Sequence, residues 1–222
     1  MRIILASGSP RRRQLLAQVG LAFDVLVSDA DETIDGHPHD QVAALARRKA
    51  EATRDLLLLR NFEAGNISNN DIKSTEDAII IAADTLVAVE ENGAQRVLGK
   101  PADAAEAFEM LSTLAGRKHT VYTGVAILRT QSDAVPSREA KCNAQIVFVE
   151  STDVYFRPLT PQQIHAYIAT GEPFDKAGAY GIQEKGALLV ARVDGDFYTV
   201  MGLPIARLCA ELEKKGVPVW DV

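Results

Sequence analysis

Cysteine is almost missing from this 222-residue chain: it has two, Cys142 and Cys209, far apart and without metal-ligand spacing. That excludes a disulfide framework and a cysteine metal site, and it points to a reducing compartment, so a cytoplasmic location is expected. No apolar run approaches the roughly 20 residues that a membrane span needs. The apolar start, Ile3–Ala6, is too short for a signal-peptide core and reads as a buried strand. Positive charge is in short supply as well. Lys and Arg number 24 against 30 Asp and Glu, a net charge of −6, so a broad basic face for a nucleic-acid polymer is not expected. The four histidines, His37, His39, His119 and His165, have no ligand spacing, and His37 and His39 lie in a Pro-containing loop. No P-loop, Rossmann fingerprint or Gly-x-Ser-x-Gly elbow occurs.

Apolar residues make up 47% of the chain, enough to fill the core of one domain over 1–222 with two lobes sharing a sheet. Strand and helix signals alternate, which predicts an α/β fold. Strands are expected at Ile3–Ala6, Phe23–Val27, Ala78–Val89, Val121–Leu128, within Gln145–Phe156 and around 187–193. A first helix is expected to have Ser9 as N-cap, Pro10 at its first position and Gly20 as its stop. A second is expected from Asp40 to about Leu59. Asp103 with Glu106 spells a capping box, and Thr160-Pro161-Gln162-Gln163 opens another helix. The last helix runs from about Pro204 to Lys215. Residues 60–77 read as a mobile surface loop and 129–140 as a polar one.

Five constellations carry chemistry. Ser7-Gly8-Ser9-Pro10-Arg11-Arg12-Arg13 lies between a strand and a helix. The free N–H groups and positive dipole end there favour an anion, to which hydroxyls and guanidiniums add donors. A solvated basic first turn is the bland alternative, but cations at a helix N-terminus oppose the dipole. Lys49 is seven residues after Val42, on the inward stripe formed with Leu45 and Ala46. It either snorkels to water or aims into a phosphate cleft. Asp84 interrupts a long apolar run, where a carboxylate is costly unless it meets a metal, a cation or several donors. A turn-capping Asp is the structural alternative. Gly99-Lys100-Pro101 holds a lysine on a short turn, and Glu32 lies in an acidic loop able to lend a carboxylate to a divalent cation. Residues 171–183 are neither helical nor strand-periodic, and Gln183 there offers an amide suited to a nucleobase edge.

Taken together, Leu5-Ala6-Ser7-Gly8-Ser9-Pro10-Arg11-Arg12-Arg13, Ala83-Asp84-Thr85, Gly99-Lys100-Pro101, Asp175-Lys176-Ala177-Gly178-Ala179-Tyr180-Gly181-Ile182-Gln183 and Gly202-Leu203-Pro204 closely resemble the Maf family, in the family's order and over nearly the whole chain. The resemblance implies a long mixed sheet with two α/β lobes around a central cleft, as in the inosine-triphosphatase enzymes. It also implies nucleoside triphosphate pyrophosphatase activity with Mg2+ or Mn2+, and a homodimer. Asp84 matches the family's proton acceptor. Ser7, Arg11, Arg12, Glu32, Lys49, Lys100 and Lys176 match positions for phosphate and metal, with Glu32 and Asp84 holding the metal. Arg11, Thr85 and Gln183 match positions for base selection. The Ala179–Gln183 form is similar to the branch acting on dTTP and UTP, with modified pyrimidine nucleotides as further substrates.

Alternative substrates are 7-methyl-GTP or another non-standard nucleotide. A nucleotide-binding cell-division regulator without turnover is the alternative from another class. Ala83 stands where glycine is usual, a small steric change. Glu184 also replaces a usual glycine, so its backbone must avoid a positive φ or bear strain.

Overall fold

The computed structural model describes residues 1–63, 77–130 and 145–220. In chain order the elements are β1 (Arg2–Leu5), α1 (Pro10–Gln18), β2 (Asp24–Val25), α2 (Pro38–Glu63), β3 (Ala78–Glu91), β4 (Ala94–Leu98), α3 (Ala104–Leu114), β5 (Lys118–Arg129), β6 (Gln145–Phe156), α4 (Pro161–Ile168), β7 (Val190–Asp194), α5 (Phe197–Met201) and α6 (Ile205–Lys214). Three short 3-10 turns lie between Glu172 and Leu188. The strands form a mixed sheet in the order β2-β1-β3-β5-β6-β7, with β4 also on β3. Only the β1 pairings are parallel. Among the described residues no helix is long and apolar enough to cross a membrane.

Strand β3 explains the two lobes. Its first half is buried on both faces, as its unbroken apolar run requires. Ile79, Ile81 and Ala83 pack with Leu15 and Leu16 of α1 and with Leu208 and Leu212 of α6. The intervening Ile80 and Ala82 face Ala46, Ala50 and Leu57 of α2. That is the period-two alternation of a strand between two helical layers. Farther on, Val87 and Val89 join Leu111, Leu114, Ile164 and Ile168 in a cluster built on α3 and α4. Each fully buried aliphatic side chain contributes roughly 1.5–3 kcal/mol.

Between the two clusters one edge of β3 is open. Strand β1 pairs with β3 only as far as Ile81, and β4 begins its pairing at Val87. The residues between them, Asp84 and Thr85 included, keep β5 on one side and have no strand on the other. The chain leaves β1 and β4 in opposite directions there, which opens a crevice at the end of a strand.

Several elements differ from the sequence reading. Helix α2 starts before Asp40 because His37 caps it. The His37 carbonyl accepts from the Asp40 and Gln41 amides at 2.9 and 3.0 Å, and its Nδ1 accepts from the His39 amide at 3.3 Å. The same helix runs past Leu59 to Glu63, so four residues of the expected 60–77 loop are helical and 64–76 lie outside the described residues. The rest of the loop expected at 129–140, from 131 on, lies outside them too, as does Cys142.

Ser9 makes no side-chain cap on α1; Pro10, with its preset φ, starts the helix. Strand β2 shrinks to two residues because its only partner among the described residues, β1, is short. Unforeseen β4 follows a hairpin turn at Asn92-Gly93, both left-handed at φ 53° and 78°, which is the signal for a tight hairpin. Thr160 and Gln163 form the full reciprocal box, whereas at α3 only half of the expected box forms: Asp103 accepts from the Ala105 and Glu106 amides, but the Glu106 carboxylate accepts from the Ala102 amide, one residue before the cap.

Candidate active site

A cleft of about 810 Å3 occupies the crevice, a size suited to a small ligand. All ten residues singled out from the sequence line it: Ser7, Arg11, Arg12, Glu32, Lys49, Asp84, Thr85, Lys100, Lys176 and Gln183.

The first wall is the turn from β1 into α1. Ser7 Oγ accepts from the Ser9 amide at 3.2 Å and from Arg12 Nη1 at 3.1 Å. Both of its lone pairs are thereby engaged, and its own O–H remains to donate toward the cleft. Arg12 also donates through Nε to the Gly202 carbonyl at 2.8 Å and through Nη2 to Thr85 Oγ1 at 3.0 Å. Burial lowers its pKa from the usual value, and Asp84 opposes that shift. Arg11 pairs with Asp175 at 3.0 Å. The unfavourable row of cations on the α1 dipole is thus met partly by acceptors of the protein itself, while Arg13 is exposed.

The floor is an ionic triad. Asp84 is only 8% exposed, and its Oδ1 lies 2.6 Å from Lys49 Nζ. Glu32 Oε1 lies 2.8 Å from the same ammonium. Lys49 therefore does not snorkel away: with Val42, Leu45 and Ala46 buried beneath it, its stem leads into the cleft. Helix α2 can lie this close because β5 offers Gly124, which pairs with Asp84 across the sheet. A Cβ at Gly124 would stand 2.3 Å from the Val42 carbonyl oxygen. The Glu32 loop is fastened by Arg48, whose Nη1 donates to the carbonyls of Asp31 (2.7 Å) and Thr33 (3.2 Å). The hydrogen bond from Lys49 holds the Glu32 carboxyl below its usual range against the opposing effect of burial, with further help from the charges of Lys49, Lys100 and Arg12.

The far wall carries Lys100 and residues 171–184. The Gly178 amide donates to the Gly99 carbonyl at 2.9 Å, which joins the two loops. Lys176 Nζ reaches Asp175 Oδ1 at 2.6 Å and the Glu172 carbonyl. Its stem crosses Gly181, where a Cβ would come within 2.8 Å of Lys176 Cε. Gln183 is half-buried, and Glu184 adopts φ 54°, so of the two alternatives the chain bears the strain, about 1 kcal/mol.

Behind this wall His119 Nε2 and Tyr180 Oη are 2.8 Å apart, and burial pushes the His119 imidazole down to about 4. The unfolded chain takes up a proton on this residue near pH 6.5 and the folded chain only near 4, so stability falls as pH drops through that window. Relative to His119→Gln, wild type is expected to lose roughly 3 kcal/mol between about pH 7 and 4 in urea titrations. Parallel pH profiles for the two proteins would contradict a buried neutral His119.

Sequence reasoning missed Arg48, His119 and Gly124 as supports of the site. Gly124 had a signal, an isolated glycine within a strand pattern, which marks close backbone approach. The others are ordinary residues whose role depends on distant partners.

The sequence profile described as Maf-like protein matches residues 2–215. A dTTP/UTP pyrophosphatase of Bacillus cytotoxicus is 44% identical over 215 residues, covering 96% of this chain and 95% of the relative. One from Bacillus cereus is 43% identical over 220 residues, covering 98% of this chain and 97% of the relative. Among solved structures, a nucleoside-triphosphatase / dITP/XTP pyrophosphatase from Mycobacterium abscessus aligns with 97% of this chain and 95% of its own at 11% identity and a TM-score of 0.38.

Proposed function

The chain belongs to the Maf family, and from that premise we propose that it hydrolyses dTTP and UTP to the nucleoside monophosphate and pyrophosphate. The observation that carries the reading is the convergence of Asp84, Glu32 and Lys49 on one floor beneath the cationic walls of a single cleft. A polyphosphate needs that arrangement: fixed cations for its oxygens and a carboxylate beside the attacked phosphorus.

The donor chemistry fits a divalent cation. Glu32 and Asp84 already converge on one positive charge, and hard carboxylate oxygens suit Mg2+ or Mn2+. Among the described residues no three His, Cys, Asp or Glu side chains form a cage of their own, so substrate oxygens and water would complete the shell. When bound by Asp84 and Glu32, such a cation supplies charge neutralisation at the phosphoryl oxygens.

The chain's own residues do the rest. Ser7 donates its O–H, and Arg12 its two uncommitted N–H groups, to phosphate oxygens. Lys100 and Lys176 offset the charge of the departing pyrophosphate. Asp84 takes a proton from a water as its oxygen attacks the α-phosphorus; the bond to the β-phosphate oxygen breaks, and pyrophosphate leaves. Arg11 and Gln183, which also line the cleft, contact the base. We place the enzyme in the cytoplasm as a homodimer.

Product analysis on dTTP, UTP, GTP and 7-methyl-GTP, with and without Mg2+ or Mn2+, tests the reading. Pyrophosphate from dTTP and UTP in preference to the purines is the expected result. Preference for 7-methyl-GTP would move the protein to another branch, and tight binding without turnover would make it a sensor. Orthophosphate instead of pyrophosphate would place the attack at the terminal phosphorus and refute the mechanism.

A further inference from the structure

Thr123 of β5 is fully buried and does not line the cleft. It nevertheless ends a chain of hydrogen bonds that begins there. Its Oγ1 lies 2.8 Å from the Thr199 carbonyl, to which it can only donate. A hydroxyl has one proton, so toward Thr85 Oγ1, 3.0 Å away, Thr123 must accept. Thr85 therefore spends its own proton inward and accepts from Arg12 Nη2 at 3.0 Å. The direction is fixed along the whole path: Arg12 to Thr85 to Thr123 to the Thr199 carbonyl. Hydrogen bonds aligned head to tail polarise one another, which makes the Thr85 oxygen a better acceptor for the guanidinium.

Two of the three routes out of Arg12, all but the bond to Ser7, end on the same turn. Its Nε reaches the Gly202 carbonyl directly, while the threonine path reaches Thr199 three residues earlier. That turn is held in place by Asp196, which accepts from the Tyr198 and Thr199 amides and from the Thr199 hydroxyl. Gly202 sits at φ 104° with Thr85 Oγ1 and Arg12 Nε packed against it, a place for glycine alone. Three of the five guanidinium N–H groups are committed in this way, which leaves one on each Nη for a ligand.

We infer that Thr123 is the positioning residue that aims Arg12 at the phosphates, acting through Thr85. The inference rests on the nucleotide-hydrolase reading above. It adds to Thr85, matched by resemblance to base selection, the role of holding the phosphate-binding arginine.

The test is steady-state pyrophosphate release by wild type, Thr123→Val, Thr123→Ser, Thr85→Val and the double valine variant. Each is also assayed for binding of inorganic pyrophosphate by calorimetry. Thr123→Val is expected to raise KM for dTTP and UTP alike by about five- to tenfold, and to weaken pyrophosphate binding by the same factor, with kcat nearly unchanged. Thr123→Ser restores both values. Thr85→Val matches Thr123→Val, and the double variant is no worse, since both break one path. Should Thr123→Val not fold, Thr85→Val carries the test.

An unchanged KM and pyrophosphate affinity would overturn the inference. So would equal losses in the valine and serine variants at position 123, or a Thr85→Val effect confined to one base. Failure of wild type to release pyrophosphate from any nucleotide would sink the hydrolase reading instead, and the calorimetric arm would still judge the arginine anchor.

Discussion

Asp84→Asn is expected to lower turnover of dTTP by about 10²–10⁴-fold, the usual contribution of a general base. A change in KM would report the cation that Asp84 shares with Glu32, whereas the fall in kcat reports the lost proton transfer. The fold should persist for a specific reason. The asparagine oxygen can still accept from Lys49, and Lys49 keeps Glu32 at 2.8 Å, so no buried cation is stranded. Single-turnover rates with the thermal midpoint measured alongside separate the two effects. Wild-type turnover in a folded Asp84→Asn enzyme would remove Asp84 from the chemistry.

The second large effect concerns a residue that touches no substrate. Gly124→Ala is expected to cost about 10²-fold in kcat and roughly 1–3 kcal/mol in stability. The added Cβ would meet the Val42 carbonyl oxygen at 2.3 Å and its carbon at 2.4 Å, both backbone atoms that cannot rotate away. An ordinary C···O contact is roughly 3.3 Å or more, so α2 must back off by about 1 Å. Lys49, two turns along that helix, then retreats from Asp84 and Glu32. The check is kcat together with a urea midpoint. A variant with full activity would show that α2 need not pack so closely to place its lysine. Loss of stability with unchanged kcat would show that the lysine tolerates the shift.

Much of this site can be read from the order of residues alone. A carboxylate inside the run Ala78–Val89 announces a costly burial, and the fold supplies the cation that offsets it. The inward register of Lys49 follows from its spacing to Val42, although spacing leaves two destinations open. The capping residues of α3 and α4 and the left-handed Asn92-Gly93 turn are also written in short stretches of chain. Asp40 misleads, because a capping residue is judged by type, whereas the backbone here finds an earlier acceptor in His37. Arg48 gives no sign of its role, since its acceptors are the carbonyls of a loop fifteen and seventeen residues away.

Helix stripes, strand alternation, caps and tight turns are thus legible in the chain because each depends on side chains within about four positions of one another. Folding was needed to choose the partners. Lys49 meets Asp84 across 35 residues, Arg11 meets Asp175 across 164, and Arg12 meets Gly202 across 190. Those pairings follow from strand register and from how near α2 can approach β5, quantities set by packing between distant segments. The open edge of β3, where β1 stops and β4 has yet to begin, is the same kind of outcome. No local pattern encodes it, and without it the cations and carboxylates would have no cleft to share.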